Sequence, residues 1–108
     1  MGAIGSLLAY RIARTGISPI IYSRGETKKV LLERGIIVHS SESVFDLLEP
    51  SDYSILESNQ NVDIAIICCK QESVSELTML AENHLTSDGF LIGIQNGLGH
   101  LNLSLIHI

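Results

Sequence analysis

Val62-Asp63-Ile64-Ala65-Ile66-Ile67-Cys68-Cys69 is interrupted by a single charge, and so continuous an apolar run is expected of a strand covered on both faces in a parallel sheet. A helix is predicted directly after it. Val74, Leu77, Ala81 and Leu85 recur at helical spacing, Ser73-Val74-Ser75-Glu76 has the form of a capping box, and Thr86-Ser87-Asp88-Gly89 reads as the loop that ends the helix. Phe90-Leu91-Ile92-Gly93-Ile94 is then a second buried strand, and Gln95-Asn96-Gly97-Leu98-Gly99 a turn. The same alternation extends upstream. Ile4, Leu7, Leu8 and Ile12 define an opening helix that stops at Gly16, with Arg11 and Arg14 outward. Residues 19–22 read as a strand. Residues 27–34 read as a short helix that turns Val30 and Leu31 inward and stops at Gly35. Residues 36–39 and 44–48 read as a β-hairpin closed by Pro50.

Helices that alternate with buried strands predict the α/β class, with a mainly parallel sheet. Ligands of such sheets collect at the carboxyl ends of the strands. In this chain those ends carry Arg24, Lys70 and Asn96.

The 108 residues suffice for one small domain, and 45% apolar against 18% charged residues is globular composition. Seven Lys and Arg against twelve Asp and Glu, a formal charge of −5, leave no clustered basic patch, so nucleic acid is not an expected partner. No apolar run approaches the ~20 residues of a membrane span, and the N-terminus lacks the layout of a signal peptide. The expected compartment is the cytoplasm, with no membrane partner. Adjacent Cys68 and Cys69 are poorly placed to bridge each other and read as reduced, buried thiols. His39, His84, His100 and His107 have no partners at metal-ligand spacing, so no metal is expected.

Met1-Gly2-Ala3-Ile4-Gly5 has the form of the last part of a G-x-G-x-x-G dinucleotide fingerprint. In that reading Gly2 lets the backbone approach a pyrophosphate, Gly5 lets the helix pack closely on the sheet, and the helix N-terminus offers its N–H groups to phosphate. A start methionine with two incidental glycines is the plainer alternative. Nineteen residues after Gly5, where such a fold meets the adenosine ribose, stands Arg24 rather than an acid. A guanidinium at that place suits a 2′-phosphate, which favours NADP over NAD.

Gly2-Ala3-Ile4-Gly5-Ser6-Leu7-Leu8-Ala9, Ser23-Arg24-Gly25, Cys69-Lys70 and Gln95-Asn96-Gly97-Leu98-Gly99 resemble, in order and spacing, the N-terminal domain of the 2-dehydropantoate 2-reductases, or ketopantoate reductases. The resemblance runs from residue 1 to about Leu101. It implies a Rossmann domain followed by a helical domain, and the reduction of 2-dehydropantoate to (R)-pantoate with NADPH on the route to pantothenate. It also implies that Arg24 holds the 2′-phosphate, that Lys70 sits near cofactor and substrate, and that Asn96 places nicotinamide and substrate. Lys70 as a mobile cation, and Asn96 as both donor and acceptor, suit those places. Otherwise they are a solvated lysine and a turn-forming Asn-Gly pair.

The chain also departs from that pattern. The family's first strand, central in a Rossmann sheet, is expected to precede residue 1, so the sheet should lack it. Residues 1–102 are expected to be a partial NADP-binding domain. The helical domain, with the family's general acid, is expected to be absent, so no residue of this chain is predicted to be catalytic and the chain alone is expected not to reduce a keto acid. Residues 103–108 can be back-translated as CTG TCT CTT ATA CAC ATC, which resembles a transposon mosaic-end adapter, and are expected to be read-through. Two other functions fit the same pattern: an NADP-dependent reductase of a different small 2-keto acid, and a nucleotide-binding module without catalysis.

Overall fold

The computed structural model describes residues 3–39, 45–69, 71–97 and 100–107. The chain divides into two compact units, Met1–Glu57 and Ser58–Ile108.

The first unit opens with α1 (Ala3–Arg14), followed by β1 (Ile20–Ile21), α2 (Gly25–Glu33), β2 (Ile36–His39), β3 (Phe45–Leu48), a 3-10 turn at Pro50–Asp52 and β4 (Ser54–Ile55). β1 and β4 run parallel, with Ile20 opposite Ser54 and Ile21 opposite Ile55. β2 and β3 form the expected antiparallel hairpin, in which Ile36 faces Leu48 and Val38 faces Asp46. The core consists of Ala9, Ile21, Leu31, Ile36, Leu48 and Tyr53, with Ala13, Val38 and Ile55 packed against it.

Two inward-facing positions differ from the sequence reading. On α1 the buried position is Ala9, while Leu7 is 46% exposed. Ala9 and Ala13, four residues apart, share one helix face, and their small side chains let the helix backbone come close to the core. On α2, Leu31 is buried as expected but Val30 is 42% exposed, because adjacent helical positions point about 100° apart and a short helix buries one narrow stripe.

The second unit comprises β5 (Val62–Cys68), a 3-10 turn at Gln71–Ser73, α3 (Val74–His84), β6 (Leu85–Gly97) and β7 (His100–His107). β5 and β6 are parallel, and β6 and β7 antiparallel. Parallel strand pairs joined through helices make the α/β class expected from the sequence. α3 packs against both β5 and β6. One face of these strands holds the buried Ile67 and Leu91, whereas Ile64, Ile66 and Phe90 on the other face are 57%, 36% and 39% exposed. The apolar run at 62–69 is thus covered on one face and open on the other.

Three local readings change. Ser73 is the N-cap of α3 but makes no side-chain cap bond, because the preceding 3-10 turn holds it at φ −99, ψ −4, in the helical region rather than the extended one a capping side chain needs. A capping box is present instead at Glu49 and Asp52, where the Glu49 N–H donates to Asp52 Oδ2 at 2.9 Å. Residues 86–89 do not lie outside the sheet: Leu85 pairs with Val62 and Phe90 with Ile64, so the four residues between them bulge opposite Asp63 alone. Thr86 Oγ1 donates to Asp63 Oδ1 at 3.1 Å, and a Cβ at Gly89 would lie 2.8 Å from Leu85 Cδ2 and 3.1 Å from the Asp63 carbonyl oxygen. A side chain there would have to displace the Leu85 terminal methyl and crowd the Thr86 and Asp63 carbonyl oxygens by a few tenths of an ångström. Lastly, residues 95–97 continue β6 instead of turning, with Gln95 opposite Asn102, Asn96 opposite Leu101 and Gly97 opposite His100. The β-prone Leu and Ile positions of 100–107 give β6 an antiparallel partner that the turn reading did not anticipate.

Candidate functional site

The predicted site residues fall into two groups, one in each unit. In the first, Ala3, Ile4 and Gly5 form the opening turn of α1, where Ile4 and Gly5 are half-buried. Gly2 lies outside the described residues. The first turn of α1 carries no acidic residue, and its basic residues Arg11 and Arg14 lie toward the other end. Its N-terminal, positive dipole end therefore meets no carboxylate from the first turn of this helix.

Arg24 is exposed and stands in the connection from β1 to α2, as the extended N-cap of α2 with φ −143 and ψ 163. α2 begins two residues earlier than its sequence pattern suggests, at Gly25, which brings Arg24 to the helix boundary. Glu26 in the first turn of α2 complements that helix's own dipole. A helix N-terminus without acid and a guanidinium at a strand's carboxyl end are each of the donor type that phosphate oxygens accept from.

In the second unit, Cys68 of β5 pairs with Ile94 of β6, so both strands reach one carboxyl edge there. Asn96 lies two residues further along β6, with its backbone in the strand. Lys70 lies outside the described residues. Cys68 and Cys69 at this edge are free, half-buried thiols. Burial pushes both thiols up, with Cys69 adding to the shift of Cys68 and Glu72 to that of Cys69, so both stay protonated at neutral pH. Below them the buried His84 presents Nδ1 to the Gln60 carbonyl at 2.7 Å; a carbonyl only accepts, so Nδ1 carries the hydrogen.

A side-chain cluster that the sequence reading missed supports the first unit. Tyr10 and Arg14, one turn apart on α1, both donate to Asp46 Oδ2 on β3, and the Arg14 guanidinium lies 5.0 Å from the Tyr10 ring centroid. The Leu47 N–H donates to Asp46 Oδ1 at 2.9 Å. The Tyr10 hydroxyl and then Arg14 hold the Asp46 carboxyl below its usual range. A depressed carboxylate contributes stability above its unfolded value of about 3.9, and this is lost as pH falls through the lower folded value. Thermal melts of wild type and Asp46→Asn should therefore differ at pH 7 and converge at a pH low enough to protonate Asp46. A difference unchanged down to that pH would show that the clip does not depend on the charge.

A shallow groove of about 230 Å³ lies at the far end of α1, lined by Ala13, Arg14, Ile17, Ser18, Leu48 and Asp52 among others. It sits at the entry to β1, opposite the carboxyl edge where ligands of α/β sheets bind. No metal-holding cluster occurs, and no helix is long and apolar enough to cross a membrane, among the described residues.

Searches of curated proteins and of solved structures return no significant match. A family model described as Ketopantoate reductase PanE/ApbA matches residues 1–104, a span that includes the opening turn of α1, Arg24, Lys70 and Asn96. The family is a class of nicotinamide-dependent reductases, and with nearly its whole length matched this chain belongs to the ketopantoate reductase PanE/ApbA family.

Proposed function

We propose that this chain provides the NADP-binding half of a 2-dehydropantoate 2-reductase, acting in the cytoplasm on the route to pantothenate. The observation that carries the reading is Arg24, exposed at the carboxyl end of β1 in a chain of this family. Residues 1–102 are assigned to the nucleotide-binding domain and residues 103–108 to a non-native extension, although 103–107 pair with β6 as part of β7 and the family match runs to 104. Gly2, Ala3, Ile4 and Gly5 offer the opening turn of α1 to the pyrophosphate. Arg24 pairs with the 2′-phosphate. Lys70 and Asn96 hold the nicotinamide side and the 2-keto acid. Bound NADPH supplies the hydride that reduces the keto carbon. Orientation of the two reactants is this chain's contribution.

Arg24→Ala should weaken NADPH binding roughly 10- to 100-fold, the value of a charge-assisted contact, and leave NADH nearly unchanged. Titration of dinucleotide fluorescence measures both. Equal losses for the two cofactors would place Arg24 away from the ribose. For the substrate, NADPH oxidation by the full-length protein should be fastest with 2-dehydropantoate, and a clear preference for another 2-keto acid would reassign it.

A further inference from the structure

Arg24 closes a three-residue connection, 22–24, between the end of β1 at Ile21 and the start of α2 at Gly25. One short segment, 53–56, holds the strand that leads into that connection and the far end of the helix that leaves it. On the strand side the Ser54 N–H donates to the Pro19 carbonyl at 3.0 Å, and the Leu56 N–H to the Ile21 carbonyl at 2.9 Å. On the helix side the Tyr53 hydroxyl donates to the Leu31 carbonyl of α2. That carbonyl lies in the last turn of the helix, where backbone acceptors have no partner within the helix itself. Tyr53 is 6% exposed and shares the core with Ile21 and Leu31, so its ring touches the same cluster that seats the strand and the helix. Burial, and then the Asp52 charge, push the phenol up, so the hydroxyl keeps its proton at neutral pH and remains a donor. The 3-10 turn before it is locked by the Glu49–Asp52 capping box, so Tyr53 enters the core from a fixed point.

We infer that Tyr53 is a positioning residue for Arg24: by tying the last turn of α2 to the strand that pairs with β1, it fixes the strand-to-helix turn that aims the guanidinium. It thereby sets the preference for a 2′-phosphorylated dinucleotide over an unphosphorylated one. The inference rests on the proposed reading of Arg24 as the ribose-phosphate residue.

Tyr53→Phe keeps the ring and removes the donor. Titrated with each cofactor, the full chain carrying it should bind NADPH about fivefold more weakly and NADH less than about twofold more weakly, the scale of one hydrogen bond. Tyr10→Phe, which removes a hydroxyl from the Asp46 clip of the same unit, serves as the control. It should lower thermal stability and leave the NADPH-to-NADH ratio unchanged. A merely structural Tyr53 would behave as Tyr10 does, and that result overturns the inference while leaving the Arg24→Ala discrimination intact. If Arg24→Ala itself fails to discriminate, the ribose-phosphate reading and this inference fall together. Hydrogen exchange on the wild-type chain gives a test that needs no variant. NADPH should slow exchange at the Ser54 and Leu56 amides and in the last turn of α2 more than NADH does, and equal protection by both overturns the inference.

Discussion

Gly35→Ala is expected to destabilise the first unit by roughly 2–5 kcal/mol, adding left-handed backbone strain of about 1–2 to an overpacking shift of about 1–3. Gly35 follows Arg34, the C-cap of α2, and has φ +92, a conformation that L side chains rarely adopt. A Cβ there would lie 2.3 Å from the Leu48 carbonyl oxygen and 3.3 Å from Glu49 Cα, and both are backbone atoms. No rotamer change relieves the overlap. Leu48 cannot retreat easily either, because it is 2% exposed and paired with Ile36 in the hairpin. Gly16→Ala separates the two costs, since Gly16 has φ +95 but nothing within 4 Å of its added Cβ. Urea unfolding of both variants should show the Gly35 loss exceeding the Gly16 loss by the steric part. Equal losses would mean that Leu48 yields freely and that backbone conformation alone selects glycine at position 35.

Features fixed by nearest neighbours were legible in the sequence, and features fixed by distant partners were not. Gly16 and Gly35 mark helix ends because a left-handed residue is a local requirement, and the hairpin at 36–48 follows from two β-prone runs around a polar stretch. Arg24 was legible for a related reason: its place at the end of a short strand, nineteen residues after Gly5, is a matter of counting. Asp46 and Tyr53 carry no such mark. Their partners lie 32 to 36 and 22 residues away, so nothing in the flanking sequence distinguishes them from a surface acid and a core aromatic. Ser73 shows the converse failure, in which the local motif is present but the 3-10 turn before it removes the extended conformation the motif assumes. Residues 95–97 join β6 because a pairing partner, 100–102, follows within a few residues, and pairing outweighs the turn preference of Asn-Gly. Of the candidate site, Ile4, Gly5 and Arg24 can be placed with their side-chain exposure and Ala3 and Asn96 by backbone, while Gly2 and Lys70 fall outside the described residues.

Leu91→Ala should cost the second unit roughly 2–5 kcal/mol, the range for emptying a buried leucine site. Leu91 is 1% exposed and lies on β6, the strand between β5 and β7, opposite Ala65 in the parallel register. At that step of the sheet the residues in register are Ala65 on β5 and Ile106 on β7. Ile67, on the same face, is buried with it. A domain's whole stability is about 5–15 kcal/mol, and a loss of this size removes a large share of it. Ile64→Ala is the matched control: it removes a comparable side chain from the adjacent strand, but from a position 57% exposed, so most of that surface is already in water. Amide exchange along β5 and β6 should accelerate strongly in Leu91→Ala and little in Ile64→Ala. If the two variants lose the same protection, the open face of the sheet is covered in solution and the core of this unit is shared between its two faces.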